Sequence, residues 1–154
     1  METIISNLVS SLMPSFGKAS RAKLDQVDPR LVEICEQVIS TRDFTIVSGF
    51  RGKEEQNAIF ERGASKKQWP NSKHNKNAAG GISAPGCAID VAPYFSEAPH
   101  IRWEDENEFI YLAGMFHQAA SALGYTLRWG GNWDQDDDII DDQTFQDIGH
   151  FEII

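Results

Sequence analysis

Three short segments, far apart along the chain, make chemical sense only together: Ser72-Lys-His74, Gly86-Cys-Ala88-Ile-Asp90 and Asp147-Ile-Gly-His150-Phe-Glu152. They constrain the fold before anything else does, because their donors are useful only if positions 74, 90 and 150 meet in space. A catalytic divalent metal such as zinc takes about three imidazole or carboxylate ligands, keeps one position open for water, and needs a carboxylate nearby to take that water's proton. His74, Asp90 and His150 supply the three ligands, and Asp147 the proton acceptor.

Strand alternation supports that grouping. If His150 to Ile153 is extended, His150 and Glu152 share one face while Phe151 and Ile153 share the other. Gly86, Ala88 and Asp90 likewise share a face, where the small residues leave room beside Asp90, and Ile89 and Val91 pack behind. Cys87 then faces away from Asp90 into the core. Taken singly, a His or Asp near a strand end is more often solvated or hydrogen-bonded than a ligand, so the joint pattern carries the reading. His100 and His117 have no motif around them and read as structural or surface residues. Two further features stand out. Trp129-Gly-Gly-Asn-Trp133 puts two indoles around a glycine turn, able to wall a cleft while the glycines let backbone approach a substrate. Asp134-Gln-Asp136-Asp-Asp138-Ile-Ile-Asp141-Asp142 matches calcium-loop positions 1, 3, 5 and 9. Ile139 and Phe145 replace the turn glycine and the bidentate Glu, so an EF-hand fails and a looser Ca2+ site is what remains.

The totals narrow the class. With 154 residues, 41% hydrophobic and 24% charged, one domain over 1–154 with its own core is expected. A net charge of −9 opposes a phosphate backbone, so no nucleic-acid partner is expected. No apolar run reaches the roughly 20 residues that cross a bilayer, and the N-terminus lacks a basic stretch before its apolar residues, so neither membrane insertion nor a secretory signal is expected. Cys35 and Cys87 read as free thiols.

Along the chain, Ile4, Ile5, Leu8 and Leu12 have helical spacing. Asp28-Pro29 opens a second helix to about Ser40, with an N-cap and a first-turn proline. Phe44 to Val47 is a strand. Lys53 to Arg62 is a helix that offers Ala58, Ile59 and Phe60 for burial and ends at Gly63. Residues 64–85 form a long loop, Cys87 to Val91 a strand closed by Pro93, and Glu104 to Leu123 an amphipathic helix stopped by Gly124. Tyr125 to Trp129 and His150 to Ile154 complete the strands. The class is α+β, a small, mainly antiparallel sheet with packed helices.

On these segments, together with Phe16-Gly-Lys, Val47-Ser-Gly-Phe-Arg51 and Glu54-Glu-Gln56, the chain resembles the zinc peptidases that cut peptidoglycan stem peptides. That family includes the D-Ala-D-Ala metallo-carboxypeptidases and the phage L-alanyl-D-glutamate endopeptidases, and the likeness is greatest to the short phage endolysins. The resemblance implies a Hedgehog/DD-peptidase-like fold, Zn2+ on His74, Asp90 and His150, and Asp147 as catalytic base. It also implies that Arg51 steadies the scissile carbonyl or a substrate carboxylate, and that Ser72, Gln56, Trp129 and Trp133 contact substrate. A monomer made in the host cytoplasm and released onto the cell wall follows from the same likeness, with a D-Ala-D-Ala carboxypeptidase or a zinc-binding wall module without catalysis as the alternatives. Two departures stand out. Sixteen positions separate His74 from Asp90 where the family has about seven, an insertion expected to reshape the cleft mouth, and Asn132 stands where the family has Asp.

Overall fold

The computed structural model describes residues 13–136 and 147–154. The helically spaced Ile4, Ile5, Leu8 and Leu12 and most of the acidic run, Asp138, Asp141 and Asp142 included, lie outside those residues. Four helices and four strands follow in the order α1 (Lys18–Leu24), α2 (Pro29–Ile39), β1 (Phe44–Ser48), α3 (Lys53–Glu61), β2 (Ala88–Pro93), α4 (Glu106–Leu123), β3 (Leu127–Gly130) and β4 (Asp147–Ile153). A 3-10 turn at Lys73–Asn75 interrupts the long loop. The α+β class expected from the sequence is the one observed.

Local chemistry sets the boundaries. Asp28 caps α2 by accepting from the Arg30 amide, with Pro29 in the first turn. At the end of α3, Gly63 adopts φ +80° and the Gly63 and Ala64 amides bond back to Phe60 and Ile59, the pattern of a left-handed glycine stop. Gly124 ends α4 in the same way at φ +79°, and because the Tyr125 amide is used by that cap, β3 starts at Leu127 rather than Tyr125. Pro93 does not end the strand from outside. It is the last residue of β2 and sits opposite Phe44.

Two helices differ from what apolar spacing suggests. α1 has no apolar stripe and was not expected. It is held by Ser20, whose Oγ accepts from the Ile46 amide and meets Thr45 Oγ1 at 3.1 Å. In α3, Ala58 is exposed and Ile59 and Phe60 are only half-buried, while Gln56 is the buried residue. A hydrogen-bond network therefore docks this helix in place of an apolar face.

The sheet order is β1-β2-β4-β3 and every pairing is antiparallel. One face carries Ile46, Ile89, Val91, Trp129, Phe151 and Ile153 into a core shared with Leu31, Ile34, Val38, Leu112 and Phe116 from α2 and α4. Phe116 is the centrepiece, stacked on Phe151 at 4.3 Å and edge-on to Phe44 at 5.2 Å. The opposite face carries Ser48, Asp90 and His150 in one cross-strand row and Ala88, Glu152 and Arg128 in another. Because Phe116 joins the helix layer to the strand that carries His150, Phe116→Ala should destabilise the fold by about 3–5 kcal/mol. Urea unfolding would register this as a lower midpoint at unchanged slope.

Candidate metal centre and its cleft

The β2–β4 ladder sets Asp90 directly opposite His150. Their facing atoms, Asp90 Oδ1 and His150 Nδ1, are 3.0 Å apart. His74 arrives from the 3-10 turn and brings its Nε2 to 3.2 Å from each of them. A tetrahedral ion with bonds near 2.0–2.1 Å separates its ligand atoms by roughly 3.3 Å, so the three donors already have nearly the spacing such an ion needs. Among the described residues this is the one grouping of His, Cys, Asp and Glu side chains able to hold a metal. Cys87 is buried with its Sγ against the Lys73 carbonyl at 3.4 Å and takes no part.

Each donor is aimed by a partner behind it. His74 Nδ1 lies 2.8 Å from the Gly49 carbonyl, which can only accept, so that nitrogen carries a proton and Nε2 is the atom turned toward the cluster. The turn bearing His74 is closed by Ser72 and Asn75, each side chain accepting from the other end of the turn. Asn75 also donates to the Arg51 carbonyl and to Gln56 Oε1, while the Arg51 amide donates to the His74 carbonyl. The outer oxygen of Asp90 accepts from Arg51 at 2.5 Å, and the same guanidinium donates to Ser48 Oγ and Gln56 Oε1. The second nitrogen of His150 faces Glu152 Oε2 at 4.0 Å, and Glu152 Oε1 accepts from Arg128 at 2.7 Å.

These contacts set the charges. Burial alone would raise the Asp90 carboxyl, but His74 and His150 together hold it well below the usual carboxylate range. Burial would lower the His150 imidazole, yet the hydrogen bond to Asp90 and the nearby carboxylate of Glu152 lift it to about 9. A cation entering the cluster must therefore displace a proton. Glu152 is itself held low, against its burial, by His150 and Arg128. Asp147 is pushed up, first by burial and then by the negative charge of Asp90.

The centre opens into a cleft of about 450 Å³ lined by Arg51, Ser72, His74, Asp90, Asp147 and His150 among others. Simple alternation would put Asp147 on the Phe151 side of β4. The strand pairing instead jumps from Trp129↔Phe151 to Gly130↔Asp147, and this irregularity brings Asp147 into the cleft. Gly130 is required there, since a side chain would collide with the Asp147 carbonyl.

Three sequence expectations are corrected. Trp129 does not wall the cleft: it is buried in the core and its indole N–H donates to the Ile148 carbonyl at 2.8 Å. Trp133 does line it, 5.2 Å from the His150 ring. Gln56 is fully buried and bonds Ser65, Lys67, Asn75 and Arg51, so it braces the site and is out of reach of a ligand. The insertion does not reshape the cleft, since none of residues 76–86 lines it. It is an exposed turn folded around the Asn77 side chain and returned to the sheet by the Cys87 amide bonding to Lys76. Likewise Gly86 is small because a side chain would press on the Phe50 backbone, at 3.3 Å. Of the calcium-loop positions, Asp134 and Asp136 alone are described. The sequence reading had left Lys73, Asn75 and Arg128 aside. A capping Ser-x-x-Asn around His74 signalled Asn75, whereas nothing local marked the other two.

Comparison with known proteins then places this geometry. A family model described as phage L-alanyl-D-glutamate peptidase matches residues 12–154. The L-alanyl-D-glutamate peptidase of Escherichia phage T5 is 33% identical over 144 residues, covering 90% of this chain and 97% of its own length. The crystal structure of Serratia marcescens L-Ala D-Glu endopeptidase ChiX matches with a TM-score of 0.69 at 23% identity, over 93% of this chain and 92% of that one. At that identity the likeness establishes the fold.

Glu152→Gln keeps the volume and the burial but removes the charge facing His150. Loss of such a partner weakens metal binding by about 10–100-fold, which competition against a chromophoric chelator would measure. Affinity equal to the parent protein would mean that Glu152 does not orient His150.

Proposed function

The chain belongs to the phage L-alanyl-D-glutamate peptidase family, and from that premise we propose that it is a zinc peptidase hydrolysing the L-alanyl-D-glutamate bond of peptidoglycan stem peptides, a phage endolysin in which residues 1–154 form one catalytic domain. The observation that carries this reading is the convergence of His74 Nε2, Asp90 Oδ1 and His150 Nδ1 within 3.2 Å of one another in a cleft shared with Asp147.

Zinc bound by these three residues supplies Lewis acidity to a peptide carbonyl and brings the pKa of a water toward ~7. The remaining work falls to the chain. Asp147 takes the proton of the attacking water and returns it to the leaving amine. It shares the cleft with the three donors, the placement that a general base requires. Arg51 holds Asp90 in the ligand orientation and, still lining the cleft, steadies the oxygen of the scissile carbonyl. Ser72 fixes the turn that presents His74, and Trp133 gives the substrate an apolar wall. The protein acts as a monomer, made in the host cytoplasm and released to the wall. Among the described residues no helix is long and apolar enough to cross a membrane.

The test is digestion of purified peptidoglycan by the zinc-loaded protein, with released ends identified by mass spectrometry. New N-terminal D-glutamyl ends are expected. Asp147→Ala should bind zinc and melt as the parent does while producing none of these ends, a loss of at least about 10²-fold in turnover. Released D-alanine would make the enzyme a carboxypeptidase, and bound zinc without any cleavage would leave a wall-binding module.

A further inference from the structure

The cleft is charged against the grain of the molecule. In a chain of net charge −9, the described residues that line the cleft include five cationic side chains, Arg51, Lys66, Lys67, Lys73 and Arg128, against the three carboxylates of Asp90, Asp147 and Glu152. Those carboxylates are already committed. Asp90 is a ligand held by Arg51, Glu152 is bound by Arg128, and Asp147 serves the proton transfer.

The surplus concentrates on one wall. Arg128 donates to Glu152 through two nitrogens at 2.7 Å and lies 5.1 Å from the Trp133 ring. Lys73 lines the same cleft, one residue before His74, while Arg128 stands against Glu152, two residues beyond His150. Glu152 is thus answered by Arg128, and the Lys73 charge is additional to that pair. Lys73 stands directly between Ser72 and His74 in the 3-10 turn, so its backbone is fixed by the capping pair. Its side chain is exposed, and among the described residues no hydrogen bond or ion pair anchors its ammonium group. A rigid base with an uncommitted charged tip, aimed into a cleft, is suited to receiving an anion.

The substrate offers one. D-glutamate has two carboxyl groups, and in an alanyl-glutamyl bond its amine is the scissile nitrogen. At most one carboxyl continues the peptide, so the other stays within a few bonds of the reacting atoms. Ionised, it pairs with an ammonium or guanidinium group; amidated, it is neutral and loses that attraction. We propose that the wall formed by Lys73 with Arg128 is a carboxylate-recognition subsite, which makes the enzyme selective for stem peptides whose glutamyl residue keeps a free carboxylate over the same peptides amidated at that group. This rests on the peptidase reading above.

Two synthetic stem peptides differing only at that group, carboxylate or carboxamide, test the proposal with the zinc-loaded full chain. The parent enzyme should prefer the acid by on the order of tenfold in kcat/KM, carried mostly by KM, as suits a partly exposed charge-assisted contact. Lys73→Met should bring the acid-to-amide ratio toward one, and Lys73→Arg should restore much of it. Lys73 is the better probe because removing Arg128 would leave Glu152 buried without its partner. A parent enzyme that cleaves both peptides equally, or a Lys73→Met variant that keeps the parent's ratio, overturns the subsite and leaves the peptidase reading intact. Cleavage of neither peptide overturns both.

Discussion

The structure depends on the register of β2 against β4. Asp90 opposite His150 is a main-chain pairing, so the closest pair of donors is set by a ladder of backbone hydrogen bonds at the centre of the sheet. A slip of one residue on either strand would turn a ligand into the core and an apolar side chain into the cleft. What prevents the slip is on the other face, where Ile89, Val91, Phe151 and Ile153 are buried against α2 and α4. The hydrophobic core thus acts on the chemistry through register, and His74 needs only to be delivered to two donors that are already in place.

That delivery is polar throughout. Burying Asp90 and Glu152 carries a desolvation cost that is repaid only if each finds a cation and further hydrogen bonds. Arg51 answers Asp90, and Arg128 answers Glu152. Arg51 is in turn held by Ser48, Gln56 and Asn75, and Asn75 belongs to the turn that carries His74. One network therefore connects the candidate ligand from the loop, His74, to the candidate ligand from the sheet, Asp90. It also explains α3, whose one buried side chain is Gln56: the helix is docked onto the ligand support and contributes little to the core.

Residues whose role follows from a period or a cap were legible in the sequence. The shared face of His150 and Glu152, the core face of Phe151, the Asp28-Pro29 helix start and the Gly63 and Gly124 stops all follow from local rules. What was not legible depends on contacts between distant segments. Trp129 and Trp133 look equivalent in Trp-Gly-Gly-Asn-Trp, and only the pairing of β3 with β4 sends one indole into the core and the other into the cleft. Asp147 was assigned correctly to the cleft by its chemistry, although strict alternation would have placed it on the wrong side, because an irregularity in pairing leaves no mark in composition. α1 escaped notice since polar contacts of Ser20 and Lys23 with β1, rather than an apolar stripe, fasten it there.

Net charge describes the whole chain and not the cleft. At physiological salt a charge is felt over roughly 8 Å, so the net charge that opposes a polyanion says little about a cleft whose described lining carries more cations than carboxylates. The two charge distributions do different things. The exterior discourages indiscriminate adhesion to anionic polymers, while the cleft, with low-dielectric walls formed by Trp133 and the sheet, concentrates its field on whatever enters. An acidic enzyme can therefore act on an acidic substrate, provided the positive charge is placed where the reacting bond will lie. Lys73, one residue from the candidate ligand His74, is such a placement.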